Sequence, residues 1–400
     1  MASVTKDLAV HNLSDEAGTK ATPTVSFVVL CYKLAHLLPE CVNSILSQTY
    51  SDFELLIMDD CSPDNTQEVA KSFQDPRVKY VRNEKNLGVL RNENEGVHQS
   101  RGKYVWIISA DDYLRKPYIT QRYVELMEKH PRVGYVICAG VAVRDGRETG
   151  VLPHSKYRNR DAIVQGHDFL KKLLYSNVVL APSAMARREC YEKISMYPLN
   201  ATFGGKKIDM VWASDWYVWC AFALWFDVAY FAEPMVCYRE HDLSITSMIT
   251  KKETIDQCAA ADIAVPWLIR RKADEAGLKE ISRECLHAAA HEYALHGGAK
   301  RYRGAESCMS FEDFEDSLCR STESESEQNW IRARFYAARG NASFTKEDLA
   351  EAKELYLRSL QKDPLQLAVY SRLFLSLGKY GIYLRRALRP IRNLFRRIIE

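Results

Sequence analysis

The chain has 400 residues, of which 47% are hydrophobic and 27% charged, and its formal net charge is +3. That length supports one large or two modest cores, and the near-neutral charge gives no general argument for a nucleic-acid partner. Eleven cysteines without any CxxC spacing read as reduced, mostly buried thiols of a cytosolic protein.

Residues 1–22 are mainly polar and mixed in charge, lack the apolar stretch of a secretory signal, and read as a disordered leader. Thr24 to Tyr32 is a β-branched and aromatic run that predicts a first strand. Pro39 to Gln48 follows with Cys41, Val42, Ile45 and Leu46 on one helical stripe. Phe53 to Met58 predicts a second, buried strand that ends in Asp59 and Asp60. A helix is expected from about Gln67, a short strand over Val78 to Arg82, and a glycine-bearing loop at Asn86-Leu87-Gly88. The next helix carries Arg91, Asn92 and Asn94 and should end near Arg101-Gly102.

Tyr104 to Leu114 holds the most informative pattern. Five strand-favouring residues, Tyr104 to Ile108, run through Ser109 and Ala110 into the adjacent carboxylates Asp111 and Asp112. A short apolar run of this kind suits a strand buried on both faces of a parallel sheet. Its carboxyl end is where open α/β sheets bind ligands. Two neighbouring acids repel unless a cation neutralises them, and a divalent metal on a phosphate-bearing substrate would do so. Strands alternating with helices imply βαβ units, so two strands deliver an acid pair to the same sheet edge.

Further on, Arg132 to Val143 predicts a strand, His167 to Tyr175 a helix, and Ala181 to Arg187 another strand. Trp216 to Phe226 is uninterrupted apolar sequence, far short of the ~20 residues of a membrane span. It predicts a buried helix with a strand after it.

The motifs VSFVVLCYK, SILSQTYSDFELLIMDDCSPDNT, NLGVLRNENEGV and GKYVWIISADDYL resemble, in order and spacing, those of family 2 glycosyltransferases with the GT-A fold. The resemblance covers roughly residues 24–250. It implies an α/β fold, the GT-A nucleotide-diphospho-sugar transferase fold, with a mostly parallel central sheet flanked by helices. An α-helical C-terminal region would be added to it. By the same resemblance Asp60, with Asp59 beside it, meets the nucleotide base. A carboxylate accepts from the imide N–H of uracil or thymine, which points to a UDP- or dTDP-sugar. Leu30 and Tyr32, in the first motif, fall on the donor side. Asp111 would face the ribose, and Asp112 would ligate Mg²⁺ or Mn²⁺ on the diphosphate. Ser109 stands where many members have a first Asp, which leaves the division between Asp111 and Asp112 open. Arg91 is the expected phosphate contact, with a solvated helix arginine as the alternative.

Ala213-Ser214-Asp215-Trp216-Tyr217-Val218-Trp219 is similar to the family's E-D-W-x-x-W segment. The resemblance makes Asp215 the general base that deprotonates the acceptor hydroxyl in an inverting transfer; a helix cap is its structural alternative. Ser214 replaces the usual Glu. Pro234 to Met248 resembles the closing strand with its R-x-H segment, which would bring Arg239 and His241 near the diphosphate, His241 as metal or phosphate ligand.

The last third is expected to be helical, with a helical extension and acidic linker over 251–328 following a transferase domain over 23–250. His287 and His291 share a helix face, but HAAAH lacks the glutamate of a zinc-protease helix and reads as ordinary surface histidines. Tyr336, Gly340, Ala352, Tyr356 and Pro364 match one tetratricopeptide-like repeat, enough for a helical hairpin within 329–400. Tyr380 to Glu400 holds six arginines and one acid among apolar residues. That pattern suits either an anionic membrane surface or packing with the arginine heads in water.

The function expected is an inverting glycosyltransferase acting on a glycan or lipid-linked acceptor, cytoplasmic or peripheral at the inner membrane face, with no nucleic-acid partner. A non-catalytic GT-A-fold scaffold that binds through its helical C-terminal region is the second reading.

Overall fold

The computed structural model describes residues 22–203, 206–242, 244, 247, 252–298, 315, 316, 319, 322 and 324–376. The expected leader, the central part of the acidic linker and the basic stretch 380–400 lie outside these residues.

Strands β1 (Val25–Cys31), β2 (Phe53–Asp59), β3 (Val78–Arg82) and β4 (Tyr104–Ser109) pair in parallel in the order β3-β2-β1-β4. Every residue of β1 and β2 is buried, as a strand covered on both faces must be. Alternate residues of β1 feed opposite layers. Val25, Phe27 and Val29 pack with Leu38, Val42 and Ile45 of helix α1 (Leu38–Leu46). Val28 and Leu30 belong to the other core, with Leu90 and Val97 of helix α3 (Val89–Gln99). Helices α2 (Thr66–Ser72) and α4 (Ile119–Lys129) complete the α1 side.

The sheet continues through β9 (Met185–Arg187), β6 (Val133–Arg144), β12 (Asp227–Arg239) and β5 (Tyr113–Leu114). Strand β9 runs antiparallel to both β4 and β6, whereas β6 and β12 are parallel, so two parallel blocks meet at one reversed strand. Strands β7 (Arg147–Val151) and β8 (Ala162–Val164) flank β6 and β12, and β10 (Asn200–Phe203) pairs β11 (Lys206–Asp209) in a separate hairpin. The strand expected over Ala181 to Arg187 is shorter. Its first residues form a 3₁₀ turn around Pro182, whose carbonyl accepts the Trp106 indole N–H at 2.9 Å.

Helices α5 (Gly166–Leu173), α6 (Arg188–Ile194) and α7 (Ser214–Ala223) cover the α3 side. Helix α7 is apolar all round and almost wholly buried, so it lies between layers rather than on a surface. Its second neighbour is α8 (Lys252–Glu275), followed by α9 (Lys279–Gly298). Side chains of α7, α8 and α9 share one continuous core. His287 and His291 are not surface histidines: both pack edge-on against Tyr175, and burial lowers the pKa of both.

Helices α10 (Glu325–Thr345) and α11 (Leu349–Lys362) form a hairpin, and α12 (Leu367–Ser376) follows. A Cβ on Gly340 would stand 2.8 Å from the Tyr356 ring, so only glycine admits this approach. The ten cysteines described are all free, and nine are buried. No described helix is long and apolar enough to cross a membrane.

Candidate active site

The register of the parallel strands builds the site. Leu30 pairs with Ser109 and Cys31 with Asp59, and the ladder runs one residue past each strand. Asp60 N donates to Cys31 O at 3.0 Å, and Ala110 N donates to Leu30 O at 2.9 Å. Both acid pairs therefore leave the sheet at the same edge, beside the β1/β4 switch point. A cleft of about 460 Å³ opens there, lined by Leu30, Tyr32, Lys33, Asp60, Gly88, Asn92, Ser109, Asp111 and His241 among others.

Asp60 anchors one end. Its Oδ1 accepts from Asn83 Nδ2 at 2.9 Å and Leu87 N at 2.7 Å, and its Oδ2 from Gly88 N at 2.9 Å. A carboxylate offers about four lone-pair sites, so one remains for a ligand. Gly88 has φ +80°, which frees its N–H to reach Asp60. Asn83 also donates to Asn92, which donates to Met58 O, tying the loop to β2 and α3.

Asp59 does not line the cleft. It is fully buried, its Oδ2 accepts from Arg82 and from Tyr80 at 2.6 Å, and its Oδ1 accepts from Ser62 N at 2.8 Å. Consecutive strand residues face opposite sides, so only one of the two acids can serve the cleft.

At the other end His241 Nε2 lies 2.9 Å from Asp111 Oδ2, while Asp111 Oδ1 is buried without a hydrogen-bond partner. Asp112 is more deeply set and accepts from Arg239 N at 2.9 Å. Burial, reinforced by Asp111, pushes the Asp112 carboxyl well above the usual range. Of the two acids whose division the sequence left open, Asp111 and not Asp112 lines the cleft with His241. The place of Arg239 is corrected. Its Nε donates to Asp111 O at 2.8 Å and its Nη2 to Glu40, so it braces the acid corner from behind. No group of three or more His, Cys, Asp or Glu side chains among the described residues could cage a metal alone. The orphaned Asp111 oxygen and the imidazole fit a Mg²⁺ or Mn²⁺ that takes its remaining ligands from diphosphate and water.

Asp215 opens α7 but does not border the cleft. Asn177 Nδ2 donates to its Oδ2 at 3.2 Å, and Trp216 N to its Oδ1 at 2.6 Å. Burial raises its pKa. Glu93, on α3 beside the cleft residue Asn92, is its electrostatic neighbour; Glu93 Oε2 is buried without a partner, and burial followed by Asp215 pushes its pKa up to about 8. Nothing in the local pattern around Glu93 announces this, because Asp215 lies far along the chain. Lys33 is likewise absent from the sequence expectations, although it directly follows the first strand and lines the cleft. Arg91 stands outside the cleft, in a neighbouring depression.

Residues 26–194 match the family model described as glycosyl transferase family 2. That segment of the chain is similar to the family 2 glycosyltransferases. It is 36% identical over 107 residues to the glycosyltransferase GlyG of Streptococcus pneumoniae serotype 4, covering 26% of this chain and 36% of that protein. To the uncharacterized glycosyltransferase EpsJ of Bacillus subtilis it is 31% identical over 133 residues, or 33% of this chain and 38% of EpsJ. The chain thus spans little more than a third of the length of these curated relatives. The crystal structure of S. aureus TarS 1–349 in complex with UDP-GlcNAc superposes with a TM-score of 0.60 at 16% identity, over 81% of this chain and 92% of that one. The common architecture is the GT-A fold with helices after it.

Proposed function

We propose that the protein is an inverting glycosyltransferase that moves a sugar from a UDP- or dTDP-sugar to a hydroxyl of a glycan or lipid-linked acceptor. The observation that carries this reading is the cleft with Asp60 at one end and the Asp111–His241 pair at the other. The remaining lone pair of Asp60 would accept the imide N–H of uracil or thymine. Tyr32 and Leu30 would wall the nucleoside, and the Lys33 ammonium would meet the diphosphate.

Asp111 and His241 would hold the divalent ion, with Asp112 and Arg239 fixing the corner behind them. Bound there, Mg²⁺ or Mn²⁺ supplies positive charge for the departing diphosphate. Asp215 would take the proton of the acceptor hydroxyl as its oxygen bonds to the anomeric carbon and the bond from that carbon to the diphosphate oxygen breaks. A buried carboxylate with a raised pKa is a better base than an exposed one. The arginine-rich stretch 380–400 supports a seat on an anionic membrane surface; its deletion should abolish co-sedimentation with anionic vesicles.

Calorimetric titration with UDP, dTDP, GDP and CDP, each with Mn²⁺ and with EDTA, tests the donor site. Metal-dependent binding of UDP or dTDP is expected. Binding of none of the four would overturn the donor site in favour of a scaffold role.

A further inference from the structure

A second depression, of about 230 Å³, shares Gly88 and Val89 with the donor cleft. Its far wall is the β10–β11 hairpin, with Asn200, Lys207 and Asp209, together with Val211. Two cations line it, Arg91 from α3 and Lys207 from β11, and among the described residues neither forms an ion pair with a carboxylate. Among the described residues, the Arg91 guanidinium donates to the carbonyl of Leu87, at 3.4 Å. Asp209, the single acid of the wall, spends Oδ1 on Val211 N at 3.0 Å, where it caps a short turn. By contrast, Arg82 pairs with Asp59 and Arg101 with Glu54. Two cations lining one concavity raise its positive potential, and a guanidinium there can offer an anion two parallel hydrogen bonds.

The position relates this depression to the chemistry. Val89 to Arg91 form its α3 wall, and Glu93, the electrostatic neighbour of Asp215, is within about one helical turn of Val89. The hairpin wall leads through Val211 into α7, which begins at Ser214. Chain connectivity therefore links the two walls of the depression to the elements that carry Glu93 and Asp215.

We propose that this depression binds a phosphate group carried by the acceptor, with Arg91 and Lys207 as its ligands. The inference rests on the glycosyltransferase reading for the word acceptor, though not for the anion site itself. It moves Arg91 from the donor's phosphate to the acceptor's.

The test is calorimetric titration of the full chain with inorganic phosphate and with octyl phosphate, both at saturating UDP and Mn²⁺. The wild type is compared with Arg91→Gln, Lys207→Gln and the double variant, and UDP affinity is measured for each. Phosphate binding should weaken at least tenfold in the double variant, by intermediate amounts in the single ones, while UDP affinity stays within about twofold. Tighter binding of octyl phosphate than of inorganic phosphate would identify a lipid phosphate, and equal binding a phosphorylated glycan. No phosphate binding by the wild type, or equal binding by wild type and double variant, would overturn the site. Loss of UDP affinity in Arg91→Gln would return that arginine to the donor. Phosphate binding that depends on both cations, in a chain that takes up no nucleotide, would keep the anion site and dismiss the donor reading.

Discussion

Nε2 of His241 lies 2.9 Å from Oδ2 of Asp111, although 130 residues separate them in the chain. Antiparallel pairing of β12 with β5, Val236 opposite Leu114 and Cys237 opposite Tyr113, brings the two ends together. Arg239 fixes the approach, its N–H on Asp112 and its guanidinium on the Asp111 carbonyl. The acid that meets the imidazole is thus selected by a strand pairing.

This ranks the two acids. Asp111→Asn should weaken Mn²⁺-dependent UDP binding at least tenfold, about 1.4 kcal/mol. Asp112→Asn should cost roughly threefold or less, since its amide oxygen still accepts from Arg239 N. Calorimetry with Mn²⁺ and with EDTA reads both, and the reverse ranking would make Asp112 the metal ligand.

Asp60 has a structural task besides any contact with a base. Asp60→Ala strands the N–H groups of Leu87 and Gly88 and the Asn83 amide. A stability loss of about 1–3 kcal/mol is expected in urea denaturation without ligand, together with loss of UDP binding. An unchanged urea midpoint would show that the loop holds without this anchor.

Glu93 should leave a signature in the pH dependence of stability. Its folded pKa, about 8, lies above the ordinary value of 4.5. Between the two the unfolded chain is ionised while the folded one keeps the proton. Stability from this group is therefore full below pH 4.5 and is lost as pH rises through 8, by on the order of a few kcal/mol. Glu93→Gln should match the wild type at acid pH and exceed it at pH 8 in urea midpoint. Parallel profiles for the two proteins would place Glu93 in contact with water.

Asp215→Asn should lower kcat by roughly 10² to 10⁴ while UDP affinity is kept, because the residue borders α7 and not the cleft. Release of nucleoside diphosphate from a UDP-sugar with acceptor present is the measurement. A proportionate loss of UDP binding would assign Asp215 to the donor side instead.

Much of this protein was legible from local pattern alone. A run such as VSFVVLC suits a strand covered on both faces, and an acid after such a run falls at the carboxyl end of the sheet. That logic located β1, β2 and β4, the Asp60 and Asp111 region, and the apolar helix α7. It could not choose between adjacent acids. Asp59 and Asp60 differ by one residue, yet one is fully engaged by Arg82, Tyr80 and Ser62 and the other lines the cleft. The choice depends on which face the strand turns inward.

The tertiary structure alone decided the rest. Arg239 became a brace, Arg91 and Lys207 were brought to one depression, and an oxygen of Glu93 was buried near Asp215. Periodicity records which residues are buried, because burial follows the repeat of each element. Ion pairing, desolvation and the partner of a given carboxylate depend on contacts between elements, which only the folded chain brings within hydrogen-bond distance.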